Sequence, residues 1–191
     1  MNKPTLGFAL CGSFCTFKTV INVMNELSES EFNIVPIMSF NAYSIDTRFG
    51  KASEHIKRIE EITGKKIINT IKDAEPIGPQ KALDALLIEP CTGNTLAKLA
   101  NGIADTPVTL AAKAHLRNER PLIIAVSTND ALSVAAANIG KLMNQRNVYF
   151  VPLRQDDPTE KPRSIVADFS KTAETVSFAL NNEQIQPIIS G

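Results

Sequence analysis

The chain has 191 residues, 43% hydrophobic and 21% charged, which suits one α/β domain and excludes a disordered, fibrous or disulfide-stapled protein. Lys+Arg and Asp+Glu both number 20, so nothing in the balance draws the chain to nucleic acid or an anionic membrane; any anion must be held locally. Zero net charge is compatible with a homo-oligomer. Cys11, Cys15 and Cys91 are odd in number and lack C-x-x-C spacing, which predicts free thiols rather than a disulfide framework or a zinc site. Met1-Asn2-Lys3-Pro4 leads into Thr5–Cys11, too short for a signal h-region or a membrane span, so a cytoplasmic protein is expected.

Six apolar runs alternate with helical patterns: Thr5–Cys11, Asn33–Ser39, Lys66–Ile71, Ala85–Glu89, Leu122–Ser127 and Val148–Leu153. Several are nearly continuous in Ile, Leu and Val, as strands covered on both faces are. Between the first two, Phe17, Val20, Ile21, Met24 and Leu27 repeat at helical spacing. Ile56, Ile59 and Ile62 predict a helix ended by Gly64. After the fourth run, Leu96, Leu99, Ala100 and Ile103 mark a helix, and Pro107 opens another. Leu132, Ala135, Ala136, Ile139, Leu142 and Met143 predict a helix with Asp130 as N-cap. The stretch 152–163 holds three prolines among charges and is expected to be an ordered loop before a last helix carrying Ala173, Val176, Ala179 and Leu180. The expected fold is α/β: a single domain over 1–191 with a Rossmann-like, three-layer, doubly wound sheet of about six parallel strands. Such sheets bind ligands beyond the carboxyl ends of their strands, at the switch point.

Two loops fit that place. Cys11-Gly12-Ser13-Phe14-Cys15-Thr16 follows the first run and opens a helix; a glycine, two hydroxyls and free helix N–H groups suit a phosphate. It is neither G-x-G-x-x-G nor a P-loop, and a plain helix-capping turn explains it equally well. The second loop, Glu89-Pro90-Cys91-Thr92-Gly93-Asn94-Thr95, also feeds hydroxyls and an amide into a helix start. For Cys11 and Cys91, small-residue packing is the plainer explanation.

Pro90-Cys91-Thr92-Gly93-Asn94-Thr95 with Ala100-Asn101-Gly102-Ile103-Ala104-Asp105 resembles the P-A-S/T-A-N-T…A-N-G-I-A-D signature of a flavoprotein family. That family includes phosphopantothenoylcysteine decarboxylase, the lantibiotic cysteine decarboxylases and the flavin prenyltransferases. The resemblance implies a Rossmann-like fold, bound FMN, and trimer-based assemblies with the flavin near subunit contacts. Carried over by position, the FMN contacts are Gly12, Ser13, Phe14, Ser39, Thr92, Asn94 and Thr95, with Asn94 also beside the reacting groups as the catalytic candidate. Two positions depart from the decarboxylase pattern. Pro76 stands where those enzymes carry a catalytic histidine, and Val126-Ser127-Thr128-Asn129-Asp130 with Leu132-Ser133 keeps only the asparagine, Asn129, of their P-x-M-N-x-x-M-W motif. Cysteine decarboxylation is therefore not expected.

The same Val126–Asp130 loop and the tail Phe150-Val151-Pro152-Leu153-Arg154-Gln155-Asp156-Asp157-Pro158 with Lys161-Pro162 resemble a narrower branch of the family, the B subunits of dipicolinate synthase from spore-forming bacteria. That branch implies a protein of the mother-cell cytoplasm which, with a dehydrogenase-like A subunit as partner and the nicotinamide cofactor on that partner, oxidises dihydrodipicolinate to dipicolinate. A small dicarboxylate needs cationic or N–H donors, and Asn129 and Arg154 are the candidate substrate contacts. A stand-alone FMN-dependent decarboxylase or prenyltransferase, and a noncatalytic binding subunit, remain as alternatives. His55 and His115 have no second ligand at metal spacing, so no metal site is expected, and Ser127 with Asp130 lacks a histidine for a triad.

Overall fold

The computed structural model describes residues 3–30 and 32–190. Met1 and Asn2, which precede the first apolar run, lie outside them. In chain order the elements are β1 (Thr5–Leu10), α1 (Phe17–Ser30), β2 (Asn33–Met38), α2 (Phe40–Ser44), α3 (Ala52–Thr63), α4 (Ile71–Ala74), β3 (Ala85–Cys91), α5 (Gly93–Ala100), α6 (Pro107–Leu116), β4 (Leu122–Thr128), α7 (Ala136–Met143), β5 (Val148–Phe150), β6 (Ile165–Val166) and α8 (Thr172–Leu180). The sheet runs β2-β1-β3-β4-β5, all parallel, and β6 adds to β4 antiparallel. Connections leave β1 toward β2 on one side and return to β3 on the other, which puts the switch point between β1 and β3.

The continuous apolar runs are central strands because both faces are covered. On one face Phe17, Val20 and Met24 of α1, Ile59 of α3 and Val176 of α8 pack on Phe8, Leu10 and Leu87. On the other, Leu96 of α5, Val108 and Ala111 of α6, and Ile139 of α7 pack on Ala9, Ile88 and Ile124. The three-layer α/β reading therefore holds. The expected α1, α3, α5, α6 and α8 are all present, with Gly64 ending α3 in the left-handed region at φ 65° and Pro107 opening α6 behind the Thr106 cap.

Three expectations need correction. The run Lys66–Ile71 is not a full strand. Only Ile68 bridges Ile37, because the Thr70 hydroxyl accepts the Asp73 N–H at 3.1 Å and starts α4 at the next residue. The sixth strand is instead the two-residue antiparallel β6. Asp130 does not cap α7. Its carboxylate accepts the Thr128 hydroxyl at 2.6 Å, its carbonyl accepts the Ser133 and Ala135 N–H groups in a turn, and the helix begins only at Ala136. Between β5 and β6 the chain has no helix, and Leu153 forms a single bridge to Ile189.

Candidate functional site

The loops after β1 and β3 meet at the switch point. The Cys11 N–H donates to the Pro90 carbonyl at 3.2 Å, and the Thr95 hydroxyl donates to Cys11 Sγ at 3.2 Å. Ser13 bonds the hydroxyl of Ser127, at the end of β4, at 2.8 Å. The tips of three parallel strands are thus tied side by side. Gly93, first residue of α5, is held so near the β4 loop that a Cβ there would lie 2.9 Å from both Thr128 Oγ1 and Asp130 Oδ1.

Two cavities open on this junction and share Gly12 and Thr92. The first, about 380 Å³, is lined by Cys11, Ser39, Phe40, Asn41, Asn94, Thr95, Lys98 and Thr106 besides the shared pair. The second, about 340 Å³, adds Ser13, Phe14, Cys15, Phe49, Ser127, Thr128, Asn129, Asp156, Lys161 and Val166. All seven residues expected to contact FMN line one or both, and Asn129 lines the second. Arg154 lines neither; its carbonyl accepts the Val166 N–H at 3.0 Å and serves β6. Asn41, Lys98 and Thr106 carry no motif that singles them out in the sequence. Lys98 does share the α5 face of Asn94 and Thr95 by helical spacing, a signal that could have found it, whereas nothing local marks Asn41 or Thr106.

Several donors have local duties. Ser39 caps α2 by accepting the Ala42 N–H at 3.3 Å, and Thr92 and Thr95 hydroxyls lie 3.3 Å apart at the start of α5. Asn94 is exposed, two residues past the Thr92 cap, so its amide is not needed to start the helix. Lys98 Nζ meets both oxygens of Asp105 at 2.7 and 2.8 Å, and Lys161 meets Asp156 at 3.1 Å. Hydroxyls, amides and helix-start N–H groups therefore dominate, a donor set that fits a phosphate and a polyol chain.

The two buried thiols, Cys11 and Cys91, are not poised as nucleophiles. Burial pushes Cys11 up to about 11, only partly offset by bonds from Thr95 and Thr92, and raises Cys91 well above the usual thiol range. Neither histidine lines either of these two cavities. His115 is buried, its Nε2 lies 3.0 Å from the Pro121 carbonyl, and burial lowers it to about 4; His55 packs edge-on against Phe17 at 5.2 Å. Pro76, in a 3-10 turn at Glu75–Ile77, also lies outside both linings. Among the described residues no group of three or more His, Cys, Asp or Glu is placed to hold a metal, and no helix is long and apolar enough to cross a membrane.

The Flavoprotein family model matches residues 1–181, and the chain belongs to that family. Within it, the dipicolinate synthase B subunit of Bacillus subtilis (strain 168) is 44% identical over 184 residues, covering 96% of this chain and 92% of the relative, so the chain falls in the branch of those B subunits. The crystal structure of the dipicolinate synthase B subunit from Bacillus halodurans superposes with a TM-score of 0.91 at 41% identity, covering 100% of this chain and 99% of that one. The FMN-dependent cysteine decarboxylase SpaF is a more distant structural relative, with a TM-score of 0.66 at 26% identity over 93% of this chain and 95% of that one.

Proposed function

We propose that this chain is the B subunit of a dipicolinate synthase. On this reading it binds FMN and, with a separate A subunit carrying a nicotinamide cofactor, takes part in oxidising dihydrodipicolinate to dipicolinate in the mother-cell cytoplasm of a sporulating bacterium. The observation that carries this is the paired cavity at the β1/β3 switch point, lined mostly by neutral donors together with Lys98 and Lys161. Gly12, Ser13, Phe14, Ser39, Thr92, Asn94 and Thr95 would hold the flavin. When bound, FMN supplies a two-electron acceptor.

The oxidation removes a hydride and a proton from a dihydropyridine and leaves an aromatic ring. The chain's own task is to hold that ring still and exclude competing geometries. Asn129 is set for this. Ser164 donates to its Oδ1 at 3.4 Å, which leaves the amide N–H groups for a carboxylate. Asn94, able to donate and accept, is the residue we place beside the reacting groups. A stand-alone cysteine decarboxylase is disfavoured because the cavities hold no imidazole base. Phe40 and Phe49, each 46% exposed, rim the two cavities and support a homo-oligomer, trimer-based as in the family, with the cleft near subunit contacts.

The test is reconstitution. The purified chain, titrated with FMN, is expected to develop the shifted visible absorption of a bound flavin, and with an A subunit to sustain dipicolinate formation that depends on that flavin. Full activity of the complex without any flavin would replace this reading with that of a noncatalytic binding subunit.

A further inference from the structure

We propose that Lys161 is the cation that binds one carboxylate of the substrate in the second cavity, an assignment that rests on the dicarboxylate reading above. Lys161 enters this cavity on the connection between β5 and β6, far in sequence from most of the other lining residues. The connection is folded on itself there. Lys161 N–H donates to the Asp157 carbonyl at 2.8 Å, Glu160 N–H to Asp157 Oδ1 at 2.9 Å, and Ser164 N–H to the Lys161 carbonyl at 3.0 Å. The Leu132 N–H, donating to the Arg163 carbonyl at 3.0 Å, anchors this turn to the segment after β4. Lys161 is thus carried on an anchored loop.

Asp156 engages the Lys161 ammonium at 3.1 Å, and an ammonium has three donors. The pair orients the charge without using it up. Asn129 lines the same cavity and is turned by Ser164, so an amide and an ammonium belong to one wall. On the strand-tip side Thr128 gives its hydroxyl proton to Asp130, while the Ser13–Ser127 pair, 2.8 Å apart, uses one hydroxyl proton between them and keeps one as a donor. A planar ring bearing two carboxylates needs donors in two places, and this cavity of about 340 Å³ supplies both. Lys98 is a poorer choice, since both oxygens of Asp105 already hold it in the other cavity. Arg154 lies outside both linings.

Pyridine-2,6-dicarboxylate is the probe, with pyridine-2-carboxylate as its single-charge counterpart. Cys15 is exposed and lines the same cavity, so protection of this thiol from iodoacetamide, read by peptide mass and referred to the unliganded rate of the same variant, reports occupancy. Calorimetric titration of the FMN-loaded chain with both acids gives the same comparison without a thiol. In the wild-type chain the dicarboxylate is expected to bind more tightly than the monocarboxylate. In Lys161→Met its affinity is expected to fall roughly 10- to 100-fold, the value of one charge-assisted bond. The preference over the monocarboxylate should vanish, FMN affinity should stay unchanged, and Lys161→Arg should recover part of the loss. Wild-type binding and preference in Lys161→Met, or their loss in Arg154→Met instead, overturns the Lys161 assignment and leaves the dicarboxylate reading standing. Failure of the wild-type chain to bind either acid overturns both.

Discussion

Glu89 is fully buried on β3, with Oε2 accepting the Thr172 hydroxyl at 2.7 Å and Oε1 lacking a partner in the structure. Burial pushes its pKa up to about 8, and the bond from Thr172 offsets only part of that. Between the ordinary value of 4.5 and about 8 the folded chain keeps a proton that the unfolded chain has lost. Stability from this group therefore falls as pH rises through that window, the reverse of a salt-bridged carboxylate. Glu89→Gln keeps a neutral, hydrogen-bonding side chain there. It is expected to match the wild type near pH 4 and to exceed it by a few kcal/mol, on the order of one pKa unit per 1.4 kcal/mol, near pH 9, as urea melts at both pH values would show. Equal melts at pH 9 would mean that Glu89 is ionised at no cost. At Asn94 the expectation is functional instead. Because Asn94 is exposed and lies inside α5, two residues past the N-cap position, Asn94→Ala is expected to cost about 1 kcal/mol or less in stability while lowering dipicolinate formation by the two-subunit complex at least about tenfold, the worth of one hydrogen bond to a charged group. A folded variant with full activity and unchanged FMN affinity would remove Asn94 from the site.

Among the elements, α5 depends on what stands behind its first residue. Gly93→Ala would place a methyl 2.9 Å from the Thr128 hydroxyl and the Asp130 carboxylate, two groups already bonded to each other at 2.6 Å. We expect a loss of about 1–3 kcal/mol, read from the denaturation midpoint, together with weaker flavin binding, because the helix start must back away from the β4 tip. The helices α1, α3, α5, α6 and α8 were legible because each carries its own period and, for α3 and α6, its own stop or cap. The five parallel strands were legible as continuous apolar runs. What was not legible depended on partners distant in sequence. Ile67 and Ile68 look like a strand until Thr70 starts a helix, and β6 is two residues long with no period to detect. Asp130 has the composition of a cap but is claimed by Thr128. The same holds for the site. The loops at Gly12 and Thr92 were marked by their residues, whereas Lys161 is brought in by a loop whose charges resemble any solvated surface. Arg154, two residues before Asp156 in the same loop, lines neither cavity.

Across the whole molecule, one sheet separates two cores, and each helical layer buries its apolar face against that shared sheet. We propose on that ground that residues 1–191 fold as one domain, with 152–163 as its ordered loop. Far-UV ellipticity and the tyrosine fluorescence of Tyr43 and Tyr149 should then melt together in one transition, and a separate earlier loss of either signal would divide the chain. Zero formal net charge and the pairing of Lys98 with Asp105 and Lys161 with Asp156 have a kinetic consequence. With each lysine that lines the cleft paired to a carboxylate, an anionic ligand is expected to arrive with little electrostatic guidance and to be sorted on contact. Stopped-flow quenching of FMN fluorescence should give an association rate that changes by less than about threefold between roughly 20 and 500 mM salt, against the steep decline that electrostatic steering produces. A protein so arranged would capture its ligand at nearly the same speed while the ionic content of its surroundings changed around it.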